Sequence, residues 1–425
     1  MSKDKSLAAV ALITSLFFMW GLALNLNPIL IPHLKKACQL SDFQSSLIDS
    51  ASYIAYFILP IPAAQFMKKY SYKGGIIFGL LLFSVGAILF YPAAAVRNYA
   101  FFLGALFIVF SGMAFLETAA NPLITLVGEP KGATVRINLA QTFNGLAATL
   151  APLIGGRFIL SGKLLSPAQE KAMSPQQLDT YLTHEASSVQ IPYLVIGLLV
   201  FSVAVMVWLT KFPKVKEETD EMVNGEKRAL SARIGELLKD KHLMSGVLAE
   251  FFYVAAQACV SSFFIRYSYH VAGIGEKDAA ELLSIAFLLF MIGRLSGTGL
   301  MLIFNPVRLL VTYAIINISL IIAAINMEGH AAIYVLMAVW FFMSIMFPTI
   351  FSLSIRDLGK KTKLGSSLVI MGIVGGAVVP PIMGKVSDLT NIQFSYIVPC
   401  ICFAAILWFG IKNLRVKKLD VVNAH

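Results

Sequence analysis

Twelve apolar runs, each about as long as a bilayer is thick, leave this chain one class of fold. They lie at 7–34, 45–67, 74–95, 99–127, 136–160, 190–211, 243–269, 279–304, 307–326, 331–355, 364–386 and 393–413. A helix needs about 20 apolar residues to cross the hydrocarbon core. Inside that core every backbone group must be bonded within its own segment, so such runs become helices. The sequence therefore predicts an all-α membrane protein with twelve transmembrane helices. Charged residues make up only 13% of the chain, against about 25% in soluble domains. The run from Leu7 is longer than a signal-peptide core and has no small-residue cleavage site, so it reads as span 1.

The charges orient the spans. An even number puts both termini on one side. With the termini inside, the inner segments carry 24 of the 34 Lys and Arg and the outer loops six. Arg157, Arg266, Arg294 and Lys385 sit at or inside span ends. This asymmetry follows the positive-inside rule and predicts a multi-pass protein of the plasma (inner) membrane with both termini cytoplasmic. The net charge of +11 is then accounted for by loops facing the lipid bilayer, with no nucleic-acid partner. The four cysteines, Cys38, Cys259, Cys400 and Cys402, have no zinc or redox spacing, and three lie in apolar runs as small buried hydrophobes. No metal site and no cofactor are expected.

The chain also repeats itself. Phe17-Phe-Met-Trp-Gly21 in span 1 answers to Phe251-Phe-Tyr-Val-Ala255 in span 7. Ala151-Pro-Leu-Ile-Gly-Gly-Arg157 in span 5 answers to Pro380-Pro-Ile-Met-Gly-Lys385 in span 11, and Pro122 to Pro348. The offsets are nearly constant, which favours duplication. The expected division is an N-terminal six-helix half at 1–212, a cytoplasmic linker at 213–241 and a C-terminal six-helix half at 242–425. Two pseudo-symmetric halves of six helices, joined by a basic inner loop, form the major facilitator architecture, with binding near the midplane between the halves. In the outer loop 161–189, Ser166-Pro and Ser174-Pro can each begin a short surface helix, with Ser as N-cap and Pro at the first turn.

Against this apolar background, a few polar side chains stand out. Phe115-Leu-Glu-Thr-Ala-Ala-Asn-Pro-Leu123 puts Glu117 in the middle of span 4, with Asn121 and helix-breaking Pro122 following. A charge at that depth costs about 2.5–3.5 kcal/mol on insertion scales. Glu117 is either a buried acid held by a basic or amide neighbour, or a proton carrier. Burial disfavours the charged form of a carboxyl, and an arriving ligand or water changes that balance, as coupling requires. In span 1, Asn25 and Asn27 point in different directions, and Pro28 loosens the helix around them. In span 2, Ser45, Asp49, Ser52, Tyr53 and Tyr56 share one helical face. This stripe either lines the outer entrance or leaves Asp49 among the lipid headgroups.

The remaining candidates could serve packing as well as binding. Gln141, Asn144 and Gly145 share a face of span 5, and amides both donate and accept, as hydroxyl-rich sugars require. They serve equally as helix–helix contacts. A carboxylate substrate would call for a deep arginine, and none is expected. In span 7, Gln257 shares a face with Glu250, which is either a second proton site or the partner of a loop cation at the inner gate. Phe290 and Phe347 can stack on the apolar face of a sugar or simply pack. Arg294, Lys68, Lys69, Lys73 and Arg356-Asp-Leu-Gly-Lys-Lys361 are expected to cap inner helix ends and pair there.

Taken together these residues resemble the L-fucose–proton symporter and glucose/galactose transporter family within the major facilitator superfamily. The resemblance runs nearly end to end. It is carried by Leu24-Asn-Leu-Asn27 with Ile31-Pro32, Pro60-Ile-Pro-Ala63, Met67-Lys-Lys-Tyr-Ser-Tyr-Lys73 and Leu116-Glu-Thr-Ala-Ala-Asn-Pro122. It continues in Asn138-Leu-Ala-Gln-Thr-Phe-Asn144, Thr210-Lys-Phe-Pro213, Ile265-Arg-Tyr267, Phe347-Pro-Thr-Ile-Phe-Ser-Leu353 and Gly365-Ser-Ser367. It implies a twelve-helix, alternating-access sugar permease in which Glu117 serves proton coupling. Asn25, Gln141 and Asn144 would line the sugar site, and Phe290 would lie beside the sugar. The chain departs from the family in three ways. Pro28 stands where the family usually has a second coupling Asp. Met346-Phe347-Pro348 stands where fucose transporters tend to have Gln-Tyr-Pro. Asp49 and Glu250 stand where amides are usual.

The expected function is uptake of a small neutral monosaccharide, a hexose or a 6-deoxyhexose such as L-fucose, by proton symport and as a monomer. Asp49 and Glu117 are the coupling acids, and Asn25, Gln141, Asn144, Gln257, Phe290 and Phe347 form the sugar site. Asn121, Tyr53 and Glu250 stand in a second rank. An uncoupled facilitator and a non-transporting sugar receptor are the alternatives. The sequence holds no nucleophile–base pair, metal cluster or phosphate loop, so it is not read as an enzyme.

Overall fold

The structure, a computed structural model, describes residues 3–126, 133–162, 169, 172–210, 230–356, 358 and 361–422. Among these residues the regular structure is entirely helical. Ten helices are long and apolar enough to cross a membrane, and a bent pair makes eleven. The helix Ala133–Phe158 is as long as the others. Its sequence carries Arg136, Asn138, Gln141, Thr142 and Asn144, which make it the least apolar of the twelve.

The spans alternate in direction, so one end of the bundle holds the described chain ends. We call it the terminal end and the opposite one the far end. Span 1 runs from Lys3 to Ala37 in two pieces, Lys3–Leu24 and Asn27–Ala37, parted at Asn25 and Leu26. Pro28 stands in the first turn of the second piece, where its missing N–H costs nothing. Span 2 is Asp42–Ile58 continued by Pro60–Met67, with a bend of 42° between them. Ser41 caps it in a reciprocal capping box with Gln44. Span 3 covers Lys69–Ala95, span 4 Tyr99–Leu126, span 5 Ala133–Phe158 and span 6 Gln190–Leu209.

In the second half, span 7 is Lys241–Ala272, span 8 Glu276–Leu300 and span 9 Pro306–Asn326. Span 10 is again in two pieces, Gly329–Met343 and Met346–Ser354, with Pro348 in the first turn of the second. Span 11 joins Thr362–Met371 to Gly375–Leu389 through a 3-10 turn at Gly372–Val374. Span 12 closes the bundle with Ile392–Ser395 and Ile397–Val422.

Two prolines that the repeat relates behave differently. Span 10 breaks just before Pro348, whereas span 4 runs unbroken through position 122. The break expected beside Glu117 is therefore absent. A membrane helix tolerates an internal proline when neighbouring helices meet the freed backbone group. At the far end, Ser174 caps the surface helix Pro175–Ser187 in a second capping box with Gln177, as its Ser-Pro start suggests. The stretch beginning at Ser166 and most of the central linker lie outside the described residues.

The buried apolar residues form two main clusters. One draws mainly on spans 1 to 6, with Phe17, Phe83, Phe90 and Phe110 at its heart. The other draws on spans 7 to 12 around Tyr253, Phe263, Trp340 and Phe403. Between them run two seams, span 2 against span 11 and span 5 against span 8.

Candidate functional site

The far end is where charged groups tie the two halves together. Arg266 of span 7 bonds to the Asp42 carboxyl and to Ser45 Oγ at 3.0 Å. Asp42 also receives Lys35 Nζ at 2.5 Å and Ser387 Oγ at 2.6 Å. Asp388 of span 11 accepts from the backbone N–H of Asp42 at 2.7 Å and of Phe43 at 2.9 Å, an acid placed at a helix N-terminus. Lys36 of span 1 lies 2.9 Å from Glu185 and 3.1 Å from Glu276 of span 8. Deeper in, Ser50 Oγ donates to Ala377 O at 2.6 Å, and Ser284 Oγ donates to Thr149 O. A recess of about 640 Å³ opens beside these charges, lined by Lys35, Lys36, Asp42, Arg266 and Glu276 among others. These are far-end residues, so this recess is separate from the neighbourhood of Glu117.

Below this latch lie the acids. Glu117 is partly exposed, and the Tyr56 hydroxyl faces it just outside hydrogen-bonding geometry. Asn121, one turn on, leaves its Oδ1 without a partner. Glu117 thus has a polar neighbour and is not fully buried. Asp49 differs. It is 2% exposed and faces Ser262, Arg266 and Asn27. It lies neither at an open entrance nor among headgroups, because the far-end closure packs its stripe against spans 7 and 11. In that stripe Ser52 receives Asn27 Nδ2 at 2.8 Å, and the Tyr53 ring lies against Gly376 of span 11. Glu250 is fully buried and neither carboxyl oxygen has a hydrogen-bond partner. The loop cation expected to pair with it at the inner gate does not do so.

The amides meet where span 1 crosses span 5. Asn25 Nδ2 donates to Gly21 O at 2.7 Å, and Asn144 Nδ2 donates to Phe17 O at 3.1 Å. A Cβ on Gly21 would lie 2.8 Å from Asn144 Nδ2, so only glycine lets these helices meet here. Asn25 is partly exposed, while Asn27 is buried against span 2, the divergence their spacing requires. Gln141, one turn from Asn144, is exposed. Gly145 faces Met291 of span 8, whose sulfur would lie 3.7 Å from a Cβ there. That contact brings span 8, next to Phe290, up to the amides.

The aromatic side is built by spans 7, 8 and 10. Phe290 is half-buried, edge-on to Trp340 with centroids 6.0 Å apart. Phe347 stands edge-on to Tyr253 at 5.9 Å. Gln257 is half-buried on span 7. Arg294 is exposed, six residues before the end of span 8. Its guanidinium sits 4.8 Å from the Phe290 ring centroid, and its Nε donates to Ser344 O. The cation thus rests on an aromatic face of its own helix near the terminal end. Sequence reasoning also missed the latch. The one signal available was Arg266 inside an apolar run, which had to find a partner. Among the described residues, no group of three or more His, Cys, Asp or Glu is placed to hold a metal ion.

These features can be set beside known proteins. A Major Facilitator Superfamily profile matches residues 10–366. The chain belongs to the Major Facilitator Superfamily. This facilitator is 44% identical over 406 residues to the L-fucose-proton symporter of Escherichia coli strain K12, covering 94% of this chain and 92% of that one. It is 39% identical over 405 residues to the glucose/galactose transporter of Brucella abortus biovar 1, with 95% and 93% covered. The solved transporter FucP in the outward conformation aligns with a TM-score of 0.69 at 43% identity, over 96% of this facilitator and 98% of that chain. The twelve-helix architecture and membrane setting of this facilitator follow from that membership.

Proposed function

We propose that the protein takes up a neutral monosaccharide, a hexose or a 6-deoxyhexose such as L-fucose, together with a proton. The observation that carries this reading is Glu117, a partly exposed acid facing Tyr56 and sharing the bundle with the amides of Asn25, Gln141 and Asn144. The relatives named for fucose–proton symport and glucose/galactose transport support it. Residues 1–212 and 242–425 act as two rocking halves joined by the linker 213–241. The protein works as a monomer in the inner membrane, with its termini in the cytoplasm, which makes the far end the outer side.

With the outer side open, Glu117 takes a proton and the sugar settles among Asn25, Gln141, Asn144 and Gln257, with Phe290 and Phe347 against its apolar face. Closure then forms the Arg266–Asp42 and Lys36–Glu276 contacts and buries Asp49 beside Ser262. Sugar and proton leave inward. The proton needs no cofactor, only a carboxyl that is reached from alternate sides. One charge moved through 100 mV is worth about 2.3 kcal/mol, which sustains a sugar gradient of roughly 50-fold at one tenfold step per 1.4 kcal/mol.

An uncoupled facilitator is the alternative that Pro28 favours, since the acid usual there is missing. Adding sugar to de-energised cells that hold the protein separates the two. Symport alkalinises the medium as sugar enters, and uniport leaves its pH unchanged.

A further inference from the structure

Glu250 has no place in the cycle just described, yet no described carboxyl is more deeply sealed. It is 0% exposed and both its oxygens lack a hydrogen-bond partner. Buried polar groups are nearly always bonded, so an exception calls for an explanation. Among the described residues, the cations on surrounding spans are engaged elsewhere. Arg294 of span 8 lies on Phe290, and Lys412 of span 12 donates to Ser245 Oγ at 3.1 Å. Lys361, next to span 11, pairs with Glu236. On its own helix, His242 bonds to Leu353 O, and the Tyr253 hydroxyl is within electrostatic reach of both Glu250 and Arg294. An ionised carboxylate at Glu250 would stand with no donor, so the group holds a proton in this arrangement.

What Glu250 packs against gives that proton a use. Gly372 begins the 3-10 turn of span 11, and a Cβ there would lie 3.2 Å from Glu250 Cβ and 3.0 Å from Val247 O. Gly375, which ends the turn, lies against the Phe251 carbonyl. A 3-10 stretch inside a helix often marks a hinge. Beyond this one, span 11 makes the contacts that seal the far end: Gly376 on Tyr53, Ala377 O with Ser50, and Asp388 on the start of span 2. Bending of span 11 about this turn, as the far end opens, would uncover Glu250.

We propose that Glu250 is a second proton-carrying site of the transport cycle, gated by bending of span 11 at Gly372–Val374. It takes a proton from the far side while that side is open and holds it as a carboxylic acid while span 11 is packed on span 7. It releases the proton to the terminal side when the Thr362–Met371 piece of span 11 parts from span 7 while the Gly375–Leu389 piece stays packed. The balance is one extra proton moved per sugar, with no other species consumed. The inference rests on the proton-coupled reading above.

The test uses the full chain in vesicles, with D-glucose, D-galactose and L-fucose as separate arms, and reads protons per sugar from the reversal potential. Glu250→Gln should move one proton fewer per sugar than the wild type while keeping sugar flux. An unchanged ratio in Glu250→Gln would overturn the second site while leaving proton coupling intact. A wild type that moves no proton with sugar would instead defeat the underlying reading. If Glu250→Gln does not fold, infrared difference spectra of a Glu117→Gln, Asp49→Asn background decide, so that neither of those acids supplies the band. A buried carboxylic acid band that shifts or vanishes on alternating pH and sugar supports the site. A band unchanged throughout makes Glu250 a permanently neutral structural acid and overturns it.

Discussion

Arg266 of span 7 binds the carboxyl of Asp42, the first residue of span 2, although 224 positions separate them in the chain. The two side chains are only 10% and 12% exposed, so the pair is largely out of water. Removing one member of a buried pair costs about 3–5 kcal/mol when the other is stranded. Asp42 would keep Lys35 and Ser387, which reduces the cost. Arg266→Gln should therefore shift the balance toward an open far end by about 1–2 kcal/mol, or roughly 5–30-fold in population. Spin labels at the exposed Phe43 and Leu389 report it as a longer distance. An unaltered distance distribution would remove the pair as a latch.

Gly21 sets how closely spans 1 and 5 approach. Its Ala variant puts a methyl group on Asn144 Nδ2 and on the Asn144 carbonyl. Overpacking of this kind costs about 1–3 kcal/mol. The melting temperature should fall, and sugar affinity with it, because Asn25 and Asn144 both take their positions from this crossing. Calorimetry and equilibrium binding on the same preparation measure the two effects together.

Phe290 carries two partners, Trp340 at its edge and Arg294 on its face. Aromatic contacts of this sort are worth about 0.5–1.5 kcal/mol beyond area. Phe290→Ala should weaken sugar binding by up to roughly tenfold, whereas Phe290→Tyr keeps the ring and should bind nearly as the wild type does. Titration calorimetry with each sugar tests this, and equal losses in both variants would take Phe290 away from the sugar.

Asp49 is sealed beside Ser262, Asn27 and Arg266, so its charge bears on whether the far end can close. Asp49→Asn should lower sugar-induced proton uptake while sugar exchange continues. Proton uptake at the wild-type level would take Asp49 out of the coupling cycle.

Some of this was legible from the residues alone and some was not. The spans were readable because an apolar run of the right length has one stable state in a bilayer. The divergence of Asn25 and Asn27 was readable because helical spacing dictates it. The latch was not readable. Lys36, Asp42, Glu185, Arg266 and Glu276 come from five separate helices, and partner choice among them is a tertiary matter. Position 122 shows a similar limit: the same residue type accompanies a break in span 10 and none in span 4. The isolation of Glu250 could not be foreseen, since a sequence shows that an acid is present and not whether a cation reaches it.

The central claim is that Glu117 carries the coupled proton, and the Glu117→Gln variant tests it most directly. In vesicles holding this variant, labelled sugar should still exchange across the membrane at close to the wild-type rate, because the amides and aromatics of the site are untouched. Accumulation driven by an imposed proton gradient should fall to no more than the one proton proposed at Glu250 can sustain. Accumulation at the wild-type level in that variant would contradict the account.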